Sequence, residues 1–181
     1  WGWALLVLLI IASRWWWGEP GAPPKPEVGN EGTYVVDRVV DGDTLRLDDC
    51  TRVRLQGIDT PETVKEAGPV EPWGPEASAY TKAFINEAGH KVQLTFDKER
   101  VDQYGRLLAY VCNGDRLLNE ELVREGLAET RPGYPQSDTM RRRLRKALND
   151  AKEARRGLWS GAGGPGSSAS PPLSRPQGIA Q

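Results

Sequence analysis

The 181-residue sequence contains one histidine, two cysteines, one methionine and two phenylalanines. A single histidine, His90, excludes mechanisms that need two histidines and metal centres built from a histidine cluster. Neither Cys50 nor Cys112 lies in a C-x-x-C, which excludes zinc ribbons and dithiol redox motifs. Two buried thiols are the plain expectation, with a disulfide as the alternative in an exported protein. Excess charge is also missing: the formal net charge is −1, and it stays −1 when everything outside 33–160 is set aside. Proteins that hold nucleic acid by general attraction are usually basic. Any such role here must therefore rest on a local site, which favours turnover over tight passive binding. No apolar run reaches the roughly 20 residues of a membrane span, and no internal repeat is visible.

The length suggests one domain with extensions. Residues 1–17 open with an apolar run, Trp1 to Ala12, followed by Arg14 and Trp15-Trp16-Trp17. This pattern suits a signal-peptide core or the remnant of a membrane anchor, with the tryptophans at the interface. It points to a secreted or membrane-anchored protein whose domain lies outside the cytoplasm. Residues 18–32 are rich in Pro and Gly and read as a linker. Residues 161–181, Gly, Ser and Pro with few apolar side chains, read as a disordered tail. The domain is expected over 33–160.

Within it, strands come first. Tyr34 to Val40 is β-branched and apolar, and Leu45 and Leu47 alternate with Arg46 and Asp48. Asp48 to Thr51 turns the chain into Arg52-Val53-Arg54-Leu55. Lys91–Phe96 and Leu107–Cys112 make two more strands, the second ending at a turn on Asn113-Gly114 or Gly114-Asp115. Ala77, Tyr80, Thr81, Phe84, Ile85 and Ala88 form one helical stripe, with Pro75 in its first turn and Gly89 at its end. Leu118, Leu122 and Val123 mark a second helix that stops at Gly126. Leu144, Ala147, Leu148 and Ala151 mark a third, capped by Ser137 and stopped by Gly157. The expected fold is α+β and mainly β: a five-stranded antiparallel barrel with three α-helices.

Chemistry concentrates in Asp41-Gly42-Asp43-Thr44 and Arg54 through Ile58-Asp59-Thr60-Pro61-Glu62, with Asp102-Gln103-Tyr104-Gly105-Arg106 further on. Carboxylates of this kind can hold a hard cation such as Ca²⁺ or Mg²⁺ through oxygen ligands. Arginines match the planar, bidentate geometry of a phosphate. Acidic residues, a spare carboxylate and two guanidinium groups are what metal-assisted cleavage of a phosphodiester requires. Taken alone, Asp41-Gly42-Asp43 would be an ordinary turn and Arg106 a turn charge. The run Arg141-Arg142-Arg143-Leu144-Arg145-Lys146 reads as a solvated helix face.

In order and spacing, these motifs, together with Gly74-Pro75-Glu76-Ala77, Asn119-Glu120-Glu121-Leu122-Val123 and Gly157-Leu158-Trp159, resemble the staphylococcal nuclease family over about 33–159. The resemblance implies an OB-fold barrel and a Ca²⁺-dependent endonuclease acting on single-stranded or frayed DNA and RNA, as a monomer, leaving 3′-phosphate ends. By position, Asp43 and Asp59 resemble side-chain calcium ligands and Thr60 offers its backbone carbonyl. Asp41 resembles a nearby acid of the calcium pocket. Glu62 resembles the carboxylate that positions or deprotonates the attacking water, and Arg54 and Arg106 the pair that grips the scissile phosphate. Tyr104 resembles a residue contacting a neighbouring phosphate or nucleotide, and Tyr134 is the candidate for stacking on a base. Three departures weaken substrate contact: Gln103 stands where the family has lysine, Pro132 where the prototype has the first of two tyrosines, and the loop Thr63 to Pro72 carries one lysine against Glu66 and Glu71. Weaker binding of long polyanions and a steeper salt penalty follow. The alternative from another class is a non-catalytic OB-fold module that binds nucleic acid or a partner. A purely structural calcium module would leave Arg54 and Arg106 unexplained.

Overall fold

A computed structural model describes residues 29–63 and 71–161 of the chain. The N-terminal apolar run, the linker up to residue 28, the loop 64–70 and the tail beyond 161 lie outside the described residues. Five strands build the barrel: β1 (Gly32–Asp41), β2 (Thr44–Leu47), β3 (Arg52–Leu55), β5 (Lys91–Thr95) and β6 (Leu107–Asn113). Three shorter strands complete the set, β4 (Ile58–Asp59), β7 (Arg116–Leu117) and β8 (Glu129–Thr130). The helices are α1 (Gly74–Glu87), α2 (Leu118–Arg124) and α3 (Asp138–Glu153), and a 3₁₀ turn spans Gly157–Trp159.

The barrel runs β3-β2-β1-β5-β6 through antiparallel pairs and closes where β3 meets β6. That closing pair is parallel, with Val53 opposite Leu107 and Leu55 opposite Ala109. The α+β barrel class therefore stands, and a single pairing departs from the all-antiparallel expectation. Parallel pairing requires a long connection, here supplied by α1 and β5. Closure matters because an open sheet would leave unpaired N–H and C=O groups along two edges.

Alternation decides what fills the interior. Val36, Leu45, Leu47, Val53, Leu55, Val92, Leu94, Ala109 and Val111 are buried in one core. From α1 the stripe Ala77, Phe84 and Ile85 joins that core, and Leu118, Leu122 and Val123 of α2 and Leu144 and Ala147 of α3 close it. The β2–β3 turn needs Cys50 in the left-handed region, at φ 71°. Cys50 is exposed there and Cys112 is half-buried on β6; both are free thiols, which corrects the expectation of two buried ones. The hairpin between β6 and β7 turns on Gly114-Asp115, with Asn113 opposite Arg116. Ser137 caps α3 by accepting the Met140 N–H. Two glycines lock the C-terminal turn onto α2: Gly126 and Gly157 lie backbone against backbone, and the Leu158 N–H donates to the Gly126 carbonyl at 2.8 Å.

One buried amide joins the barrel to the helices. Asn119, fully buried, accepts from the Val111 N–H at 3.0 Å and donates to the Gln56 carbonyl at 2.9 Å. Gln56 in turn donates to the Pro135 carbonyl at 2.9 Å. This network holds the end of β3, from which Arg54 projects, against α2 and the segment that leads into α3.

Candidate active site

The site forms where the β1–β2 turn, the end of β3 and β4 come together. Gly42 permits the approach, since a Cβ there would lie 2.7 Å from the Thr60 hydroxyl and 2.9 Å from the Ala77 Cβ. Thr81 of α1 secures the turn by donating its hydroxyl to the Gly42 carbonyl at 2.6 Å. Asp43 follows in a buried position, 3% exposed. Its carboxylate accepts from the Thr60 N–H at 2.9 Å and from the Thr44 hydroxyl at 3.0 Å. A buried carboxylate stays charged only when paired and hydrogen-bonded, and Arg54 supplies the pairing.

Arg54 bridges two acids, one Nη bonded to Asp43 and the other to Asp59. Burial pushes its guanidinium below the ordinary arginine value; Asp59 pulls it back up, and the nearby charge of Arg106 pushes it down again. The two arginines are thus close enough for their charges to repel, an arrangement that an anion between them would relieve. Arg106 is held from behind by Asp102. Its Nε donates to Asp102 at 2.7 Å, and the N–H groups of Tyr104 and Arg106 both donate to the other carboxylate oxygen at 2.9 Å. Burial raises the Asp102 carboxyl, but these hydrogen bonds outweigh it and hold the group below its usual range. The Tyr104 ring lies 5.4 Å from the Arg106 guanidinium carbon and is 74% exposed. Tyr134 is half-buried in the segment between β8 and α3, three residues after Arg131.

The remaining sequence candidates are placed differently. The Asp41 carboxylate accepts from the Gly42 N–H at 2.8 Å and the Thr63 hydroxyl at 2.6 Å, so it bonds within its own turn and to the far end of the Thr60–Thr63 segment. Glu62 is exposed. Its backbone is fixed: the Glu62 N–H donates to the Glu71 carboxylate at 3.1 Å, and the Glu62 carbonyl accepts the Glu71 N–H at 3.1 Å. No hydrogen bond or ion pair joins the Glu62 carboxylate to the acids and arginines described above.

Arg131 was missed by sequence reasoning. It donates to Asp59 through Nε, at 3.0 Å, and through Nη2, both onto the oxygen that Arg54 leaves free. The contact depends on β4 pairing with β8, a match of two-residue strands 72 positions apart that no local pattern announces. Asp102 was visible only as part of a motif; its anchoring role comes from the tight turn at Gly105, φ 77°.

Among the described residues no group of three His, Cys, Asp or Glu side chains is placed to hold a metal ion. The donors that do converge are the Asp43 and Asp59 carboxylates, both on Arg54, with Thr60 tied to Asp43 through its N–H. These are hard oxygen donors of the kind that divalent cations such as Ca²⁺ or Mg²⁺ take. Arg54 sits between the two carboxylates, so a cation taking them as ligands would have to share them with its guanidinium.

A closed barrel with three helices, its acids and guanidinium groups gathered at one turn, defines an OB-type fold. The comparisons give the family. The model of the staphylococcal nuclease homologues matches residues 52–161. The chain is 43% identical over 137 residues to the thermonuclease of Staphylococcus hyicus, covering 72% of this chain and 78% of that protein. It is likewise 43% identical to the thermonuclease of Staphylococcus intermedius, over 70% of this chain and 76% of the relative. An SPbeta prophage-derived endonuclease of Bacillus subtilis, YokF, is 40% identical over 69% of this chain and 43% of its own length. The chain belongs to the staphylococcal nuclease family.

Proposed function

We propose that the protein is a nuclease, specifically a calcium-dependent endonuclease that hydrolyses phosphodiester bonds of DNA and RNA and leaves 3′-phosphate ends. The observation that carries this reading is the convergence of Asp43 and Asp59 on Arg54, with a second guanidinium, Arg106, close by. Family membership and the names of the relatives support nuclease activity; the choice of calcium rests on the oxygen donor set. Asp43, Asp59 and the Thr60 carbonyl would hold the ion, with Asp41 beside them. When bound, the ion supplies Lewis acidity and a template for phosphate and water.

The chain's own residues do the rest. Arg54 and Arg106 receive the scissile phosphate from two sides, and their hydrogen bonds strengthen as charge builds on its non-bridging oxygens. Asp102 keeps Arg106 in place beforehand, which lowers the cost of ordering it. Glu62, exposed beside the site on a fixed backbone, accepts a hydrogen bond from the attacking water and orients it in line with the departing oxygen. Tyr104 and Tyr134 flank the arginines and contact the neighbouring nucleotide. The substrate is single-stranded or frayed nucleic acid, and the protein acts as a monomer. A location outside the cytoplasm, secreted or membrane-anchored, rests on the apolar run at residues 1–12 alone.

The test is incubation of the protein with single-stranded DNA and RNA, with calcium and with a chelator, followed by measurement of chain length. Calcium-dependent shortening that Asp43→Ala abolishes supports the proposal. Binding without cleavage would replace it with a non-catalytic OB-fold module.

A further inference from the structure

We infer that Arg131 is a positioning residue that sets how tightly a divalent cation is held at Asp59. The inference rests on the reading above in one respect, that Asp59 is a cation ligand. The fold builds the contact. Asp59 lies directly opposite Glu129 in the β4–β8 ladder, and like charges in that position repel. Arg131 follows two residues after Glu129. Its N–H donates to the Gly57 carbonyl at 2.8 Å, and its own carbonyl accepts from the Gln136 amide at 3.0 Å. The backbone is thus fixed on both sides, and the guanidinium meets Asp59 from the face opposite Arg54.

The consequence is that both oxygens of Asp59 already carry a guanidinium, Arg54 on one and Arg131 on the other. An incoming cation must share the carboxylate with them or displace one. Arg54 is the harder to displace, since its side chain is 13% exposed and also neutralises the buried Asp43. The Arg131 side chain is 55% exposed, so water can take over its hydrogen bonds. Arg131 therefore acts as a tethered competitor. It orients Asp59 in the absence of metal, and it weakens the hold on the ion when metal arrives. A loosely held ion exchanges readily, and activity then tracks the surrounding calcium concentration.

The experiment is calorimetric titration of the full chain with calcium alone, without nucleic acid. An exposed ion pair and a like charge at this range each change affinity by only a few-fold, so Arg131→Ala should bind calcium about five- to tenfold more tightly than the parent. Arg131→Lys, which keeps the charge but loses the two-donor grip, should fall between. Arg145→Ala, which removes an exposed charge on α3, should match the parent. Melting curves verify that each variant is folded. Equal or weaker binding by Arg131→Ala, with the parent binding calcium through Asp43, would overturn this inference alone. Absence of calcium binding by the parent would overturn the metal reading and this inference together.

Discussion

Asp102 offers a sharp separation between holding a turn and holding an arginine. One carboxylate oxygen accepts two backbone N–H groups, from Tyr104 and Arg106, and the other accepts the Arg106 Nε. Asn at this position keeps an oxygen for the backbone pair and loses the charged bond. Ala loses all three. All three bonds are accepted by an ionised carboxylate; the backbone pair contributes about 1 kcal/mol each and the one from the guanidinium about 1.5 kcal/mol or more, less what water restores. Asp102→Asn should therefore cost about 1 kcal/mol and Asp102→Ala about 2.5 kcal/mol. At about 4 °C per kcal/mol for a domain of this size, the melting temperature falls by about 4 °C and about 10 °C. Acid should erase the difference between parent and Asn variant. The Asp102 carboxyl is held below its ordinary range, so its contribution is complete above about pH 4 and is lost as pH falls through its own lower value. In turnover of a single-stranded oligonucleotide, Asp102→Asn should lower kcat about tenfold or more, because Arg106 must then be ordered during the reaction. Equal melting temperatures for the two variants would refute the division of labour drawn here, and an unchanged kcat for Asp102→Asn would refute the anchoring of Arg106.

Removing Arg54 as Arg54→Gln leaves the buried Asp43 carboxylate short of a countercharge. Urea unfolding without metal should show a loss of about 3 kcal/mol, and added calcium should restore more stability than it adds to the parent. Glu62→Gln, at an exposed position, should leave the melting temperature within about 2 °C while lowering kcat about 10²-fold; retained turnover would make Glu62 a bystander. Asn119→Ala strips buried partners from the Val111 N–H and the Gln56 carbonyl, and chemical denaturation should register about 2–4 kcal/mol. Gly42→Ala forces a methyl against Thr60 and Ala77, so it should cost about 1–3 kcal/mol and weaken calcium binding with it.

Much of the protein follows from local sequence. The alternation of Leu45, Leu47, Val53 and Leu55 with polar residues assigns their inward faces, because side chains of a strand alternate whatever the strand packs against. The stripe from Ala77 to Ile85 places α1 on the core for the same kind of reason, a period of 3.6. Asp41 to Thr44, Arg54 and Asp59 to Glu62 were legible as chemistry because they lie within one short stretch of chain. Tertiary structure decided what depends on distant pairing. The parallel closure of β3 on β6 is not announced by either strand alone: β3 alternates and β6 is a continuous apolar run, and neither pattern names its partner. Strands as short as β4 and β8 carry too few residues for any period to show, yet their pairing is what delivers Arg131 to Asp59. The same holds for the grip of Arg54 on both Asp43 and Asp59: the residues are near in sequence, but which oxygen meets which nitrogen is set by the barrel's curvature and by the close packing at Gly42. Local sequence determines period and chemical type, while partnership is determined only once the chain has closed on itself.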